Sequence, residues 1–259
     1  MSSLQRTRRS ETDPANFIVD TNFSVIHEDE DILVLDKPAP LAVHPVGAYS
    51  ELNLHSLLKK DPRWQGTDIR FVHRLDAETS GVLCAAKTPQ AARFLGLEFL
   101  HARVEKKYRA LVFGVPPRGE GEIDFRLGMD ASSGFQTVRV RDDLKGEAAR
   151  TRYRLIFTDG RYSLLDLEPL TGKTHQIRAH LSLLGNPIVG DKIYNDLNIF
   201  REYVMSGLND AMLERLKLPR MALHATSLAF RHPRSLARVE FTSNPPPFAR
   251  DVLRPVAAP

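Results

Sequence analysis

Apolar residues recur along this chain in short runs broken by polar turns, with helical spacing confined to a few segments. From Phe23 to Lys37, Phe-Ser-Val-Ile-His-Glu followed by Ile-Leu-Val-Leu-Asp-Lys predicts two short strands separated by the acidic turn Asp29-Glu30-Asp31. Pro38 and Pro40, which lack the N–H that a ladder needs, end the second strand. A short helix is predicted over 54–60, a strand from Ile69 to His73, and a buried strand from Gly81 to Lys87. Thr88-Pro89 opens a helix to about Leu100, because proline fits the first helical position and threonine caps the unpaired amides. Segments 107–115, 121–127, 135–141, 148–157 and 161–168 carry β-branched and aromatic residues at strand length, with Asp159-Gly160 as a hairpin turn. Thr174 is read as the cap of a helix ending at Gly185, with Ile177, Leu181 and Leu184 on one face and His175, Arg178 and Ser182 on an adjoining one. Residues 197–217 read as one or two helices, and 223–230 with 237–242 as a closing hairpin around His232-Pro233. Strands cluster and helices come singly, so the expected class is α+β rather than a regularly alternating α/β sheet.

Composition narrows the class without naming a function. Of 259 residues, 26% are charged and 42% hydrophobic, the balance of an ordinary globular chain rather than a disordered one. Apolar runs such as Val82 to Ala86 fall far short of a membrane helix. Lys plus Arg total 36 against 32 for Asp plus Glu, and the net charge of +4 tilts toward a polyanionic partner. Cys84 is the sole cysteine, which removes intrachain disulfides and cysteine-rich metal sites and fits a reducing compartment. No secretory or transit signal is read at the start, so the expected location is cytoplasmic. Residues 1–22 are expected to form a flexible basic tail, and 23–259 a single domain, since no repeat or long linker divides them.

Three segments concentrate chemistry. The first, His73-Arg74-Leu75-Asp76-Ala77-Glu78-Thr79-Ser80-Gly81, is a polar loop held between two apolar strands, a good place to fix a reactive carboxylate. A purely structural loop, with Asp76 and Thr79 bonded to their own backbone and His73 and Arg74 facing water, is the commoner reading of such composition taken alone. The second, Gly172-Lys173-Thr174-His175-Gln176-Ile177-Arg178, opens a helix whose positive end suits phosphate, with donors from Lys173, His175, Gln176 and Arg178. The third, Lys106-Lys107-Tyr108-Arg109, places an aromatic within a basic cluster, which can hold a phosphate chain and stack on a base. A zinc site at His175 and His180 is not expected, because five-residue spacing separates them around the helix.

In combination and in this order, these motifs resemble the RluA-type pseudouridine synthases, over about Phe23 to Leu253. The resemblance also takes in Leu35-Asp36-Lys37-Pro38, Gly190-Asp191-Lys192-Ile193-Tyr194, and Leu223-His224-Ala225 with His232-Pro233. It implies a pseudouridine synthase fold: a central mixed, mostly antiparallel sheet with flanking helices and a catalytic cleft across it. It implies the isomerisation of uridine to pseudouridine in structured RNA, transfer or ribosomal, with no cofactor, metal or membrane. Asp76 matches the essential aspartate, Tyr108 the residue stacking on the target base, and Arg178 a residue expected to pair with that aspartate. An arginine beside a buried carboxylate keeps it charged against desolvation. Arg74 is the candidate to fill the space a flipped uridine leaves, and Ile177 matches an apolar residue beside the base. Lys37, His73, Thr79, Lys173 and His175 are the remaining expected substrate contacts.

The chain departs from the family pattern at Ala77, where an arginine is common, and at 195–219, which reads as a helical insertion. An N-terminal S4 domain is not expected, since only about 22 residues precede the first predicted strand. A monomer is favoured. Two rival classes stay open at this point. One is a non-catalytic RNA-binding module on the same fold; the other is a glycosidase using Asp76 and Glu78, disfavoured by the scarcity of nearby aromatics.

Overall fold

A computed structural model of the chain describes residues 4–8, 16–246 and 248. In chain order the strands are β1 (Leu4–Arg8), β2 (Asn16–Asp20), β3 (Ser24–Glu28), β4 (Ile32–Lys37), β5 (Arg70–Phe71), β6 (Ser80–Ala86), β7 (Glu105–Phe113), β8 (Glu120–Asp124), β9 (Leu127–Met129), β10 (Arg139–Arg141), β11 (Arg150–Thr158), β12 (Tyr162–Pro169), β13 (Leu223–Arg231) and β14 (Arg238–Thr242). The helices are α1 (Leu54–Lys60), α2 (Pro89–Leu100), α3 (Gln176–Leu183), α4 (Leu197–Ser206) and α5 (Asp210–Leu216). The fold is α+β with a large, mostly antiparallel sheet. Among the described residues no helix is long and apolar enough to cross a membrane.

The chain divides into two compact units, the first made of residues 1–106, 205–207 and 225–244, the second of 107–204, 208–224 and 245–259. Each unit gathers its own apolar core. Part of the expected N-terminal tail is also paired, since β1 lies antiparallel to β2 and the Asp20 N–H donates to Pro40 O at 3.0 Å. The rest of residues 1–15 lies outside the described residues.

In the first unit the strand order is β3-β4-β6-β13, with β14 on β13 and β5 on β6. Ile32, Leu33, Val34 and Leu35 of β4 and all seven residues of β6 are buried, so both faces of these central strands are covered. One face (Ile32, Val34, Val82, Cys84, Leu228 and Phe230) packs under Ala91 and Leu95 of α2. Each Val, Leu, Ile or Phe side chain of this set contributes about 1.5–3 kcal/mol on leaving water. Thr88 caps α2 as expected, its hydroxyl accepting from the Ala91 N–H at 3.1 Å.

In the second unit the order is β7-β12-β11-β8, each neighbouring pair antiparallel. Its core joins Ala110, Leu111 and Val112 of β7, Leu165 and Leu167 of β12, and Ile177 and Leu181 of α3. The strand expected over 135–141 shrinks to β10, paired with β9, because residues 135–138 form a turn of their own, the Val138 N–H donating to Phe135 O at 3.3 Å. The 195–219 segment is helical as read: Ile199, Met212 and Leu216 form a small core there, and Phe200 meets the Phe135 ring edge-on at 4.7 Å.

Gly81 sets how closely two strands of the first unit approach. Its φ is +111°, and a Cβ there would lie 2.1 Å from Ala225 O. Gly81→Ala is expected to destabilise the protein by about 3 kcal/mol, from strain and overpacking together. A urea midpoint unchanged from wild type would show that β13 can withdraw.

Candidate active site

The Asp76 loop of the first unit is fastened at three points. The Lys37 ammonium is fully buried and donates to Pro38 O at 2.8 Å, Leu41 O at 2.7 Å and Ala77 O at 3.2 Å. Ala77 O also accepts from the Leu41 N–H at 2.8 Å, so the carbonyl next to Asp76 is held from two directions. On the other side, His73 Nε2 accepts from the Cys84 N–H at 3.0 Å, and its ring stacks on Phe99 with centroids 4.5 Å apart. Within the loop, the Thr79 N–H donates to Asp76 O at 3.0 Å and closes a tight turn. Leu75 and Thr79 are buried, Arg74 is exposed and Asp76 is half-buried between them. A loop so tied presents its carboxylate without the entropy cost of ordering it later.

Two expected substrate contacts, Lys37 and His73, are thus occupied in building the loop. Burial brings the His73 imidazole down to about 3, assisted by the nearby Lys106 charge, so it is neutral at physiological pH. Burial likewise brings Lys106, two residues before Tyr108, down to about 8.

In the second unit, the segment before α3 takes a form the sequence did not suggest. His175, not Thr174, occupies the N-cap position, with φ +54° and no capping side-chain bond. Gln176 replaces the cap as the local anchor. Its Oε1 accepts from Thr171 Oγ1 at 2.7 Å and the Lys173 N–H at 3.0 Å, while its Nε2 donates to Arg150 O and Thr151 Oγ1. Both ends of the amide are used, which fixes the turn to β11. Lys173 Nζ lies 2.6 Å from Glu147, Ile177 is buried in the core, and His180 bonds Thr151 Oγ1 and faces Phe125 O.

Arg178 is nearly buried and bidentate to Asp191: Nε to Oδ2 at 2.7 Å and Nη2 to Oδ1 at 2.8 Å. Asp191 is fully buried. Desolvation would raise its carboxyl, but the Arg178 charge and the backbone N–H groups of Ile193 and Tyr194 hold it below the usual carboxylate range. The Tyr194 ring lies over the guanidinium at 5.1 Å, and its hydroxyl faces His175 Nδ1 at 3.3 Å. Tyr108 is half-buried on β7 opposite Leu167 and packs against the second core. Asp191 and Tyr194 were visible as Gly-Asp-x-x-Tyr, but nothing in that spacing says they grip an arginine thirteen residues earlier.

Among the described residues, one group of possible metal ligands lies close together, Asp29, Asp31 and His232. It is charge-compensated: Asp29 Oδ2 meets His27 and His232 at 3.0 Å each, and Asp31 meets Arg234 at 2.5 Å.

The RNA pseudouridylate synthase family model matches residues 31–183, more than half of the chain. The chain belongs to this family. An uncharacterised RNA pseudouridine synthase of Chloroflexus aurantiacus is 41% identical over 223 residues, covering 85% of this chain and 65% of that protein. The ribosomal large subunit pseudouridine synthase D of Zymomonas mobilis is 34% identical over 233 residues, covering 88% of this chain and 70% of that protein. The chain therefore spans about two thirds of the length of these two relatives. Among solved structures, human RNA pseudouridylate synthase domain containing 4 superposes with a TM-score of 0.67 at 28% identity, covering 88% of this chain and 90% of that one. Family members are isomerases, and the Asp76, Tyr108 and Arg178 motifs all lie within the matched span.

Two outcomes follow from the loop's fastenings. Lys37→Met removes the donor shared by three carbonyls and is expected to cost about 2–4 kcal/mol, read by urea unfolding, with faster hydrogen exchange at Leu41 and Thr79. The second concerns pH. The unfolded chain protonates His73 near 6.5 and the folded chain near 3, so this stabilisation is complete above pH 6.5 and is lost as pH falls. Replacing His73 by Gln should flatten the fall in unfolding free energy between pH 6.5 and 5 by about 2 kcal/mol. An unaltered slope would place the linkage on other groups.

Proposed function

We propose that this protein isomerises uridine to pseudouridine at specific positions of structured RNA, with Asp76 as the acting carboxylate. The observation that carries this reading is the Asp76 loop itself: an aspartate held half-buried by a buried lysine, a neutral histidine and a tight turn, within the span matched by the family model. Ribosomal large subunit RNA is the favoured substrate class, because relatives at 34–38% identity are named for it; transfer RNA is the other. A cytoplasmic location follows from such substrates.

The reaction is redox-neutral. The bond between uracil N1 and the sugar breaks, the base turns, a bond from C5 to the same sugar carbon forms, and the C5 proton leaves while N1 takes up a proton from solvent, so atoms and charge balance. Ionised Asp76 attacks the sugar or takes a sugar proton. Arg178, held by Asp191 within its own unit, contributes positive charge to the reaction, and Tyr108 offers a planar face to the base, worth about 1–3 kcal/mol when stacked. A paired or stacked uridine must be flipped out, at a cost of a few kcal/mol, and exposed Arg74 is positioned in sequence to take its place. Thr79, Ile177, Lys173 and His175 support the RNA contacts from their own elements.

Release of tritium from RNA labelled at uracil C5 tests the reading, with ribosomal and transfer RNA transcripts offered separately. Wild type is expected to release tritium, and Asp76→Asn to lose at least about a thousandfold in kcat while its RNA affinity stays within threefold. Turnover retained by Asp76→Asn removes the assigned carboxylate. Binding without release by wild type favours the non-catalytic RNA-binding module.

A further inference from the structure

We propose that Asp191 is a positioning residue for the reaction, acting through Arg178. This rests on the part given to Arg178 above, but its geometry lies wholly within the second unit. The carboxylate grips the guanidinium on one edge only. Nε and Nη2 face Asp191, which turns the Nη1 side away from it and aims that side for another anion. Rotation about the remaining torsions is blocked in two ways. The bidentate pair fixes the guanidinium plane, and the Tyr194 ring covers it at 5.1 Å. Asp191 is itself immobile: it is fully buried, and Oδ1 also accepts the N–H groups of Ile193 at 2.9 Å and Tyr194 at 3.1 Å. The turn that follows Gly190 is thus one device. Gly190 has φ +80°, and a Cβ there would lie 2.0 Å from Arg220 O, so the backbone is pressed against its neighbour where the carboxylate begins. Tyr194 closes the far end, its hydroxyl accepting from the Arg139 N–H at 2.9 Å.

A buried arginine left to itself would sample several rotamers and would have to be ordered in the transition state. Held in advance, it delivers its charge to one place, which is where preorganised electrostatic catalysis gains its effect. The two carboxylate oxygens have separable duties. Oδ2 meets Arg178 Nε, while Oδ1 meets the backbone turn and Nη2. Asparagine at 191 can keep its oxygen on the turn while presenting an amide donor to Nε, so Asp191→Asn disturbs the guanidinium more than the fold.

The test combines kinetics with a structural readout. Using the tritium assay on ribosomal and transfer RNA transcripts, Asp191→Asn is expected to lower kcat at least tenfold with KM within threefold, while the protein still melts cooperatively. In NMR, the Arg178 Nε–H proton should exchange slowly in wild type and at least a hundredfold faster in Asp191→Asn. A merely structural role would reduce the folded fraction and leave kcat per folded molecule unchanged. Asp191→Glu is the second variant, keeping the charge but displacing the carboxylate by one methylene, and it should also lower kcat without moving KM. Either folded variant with wild-type kcat overturns the proposal, as does slow Nε–H exchange persisting in Asp191→Asn. Failure of both variants to melt cooperatively would assign Asp191 to the fold alone and overturn it too. Absence of release by wild type on both RNAs would instead sink the reaction assigned above, and the exchange experiment would still decide whether Asp191 fixes Arg178.

Discussion

A lysine ammonium with no exposed surface is the constraint on which the Asp76 loop depends. Taking such a charge out of water costs several kcal/mol, and the structure offsets this with three carbonyl acceptors, those of Pro38, Leu41 and Ala77. Bonds to a charged donor contribute about 1.5–3 kcal/mol each, so three are of the right size to hold it there. Their geometry matters as much as their energy. Lys37 ends β4, Leu41 lies beyond the two prolines, and Ala77 follows Asp76, so one buried cation joins a strand end, a loop and the candidate catalytic turn. The Leu41 N–H on Ala77 O adds a second tie to the same peptide.

The second unit solves a similar problem with opposite polarity. There the fully buried charge is Asp191, compensated by Arg178 and by two backbone N–H groups of its own turn. In both units a buried ion fixes a short polar segment beside an apolar core, and in both a neutral side chain completes the fastening. His73 does so by accepting from Cys84, and Gln176 by spanning Thr171 to Thr151. Such fully partnered polar groups tend to specify one arrangement, since any shift leaves a buried donor or acceptor without its bond.

Much of this was legible beforehand. Alternation and turn residues place β3, β4, β6, β11, β12 and the closing β13–β14 hairpin close to their observed spans, and Thr88-Pro89 gives the start of α2 to the residue. The dense polar motifs pointed to the loop and to the arginine. What the residues did not disclose was the partner of each group. Lys37 and His73 look like ligands for RNA in a linear reading, because a cation or an imidazole in a motif is ambiguous until its burial is known. Thr174 looks like a helix cap because its type is right; His175 takes the position because Gln176, anchored to β11, draws the turn into a left-handed conformation.

The sequence by itself determined the periodicities, the class of fold and the order of the chemical motifs, because these depend on side-chain type and spacing alone. Tertiary structure decided which charges are buried and which groups compensate them. Arg178 and Asp191 are thirteen residues apart, Lys37 and Ala77 forty, and neither separation carries any local pattern. Burial and hydrogen-bond partnership are properties of packed neighbours, and packing also divided the apolar residues between two cores that composition presents as one.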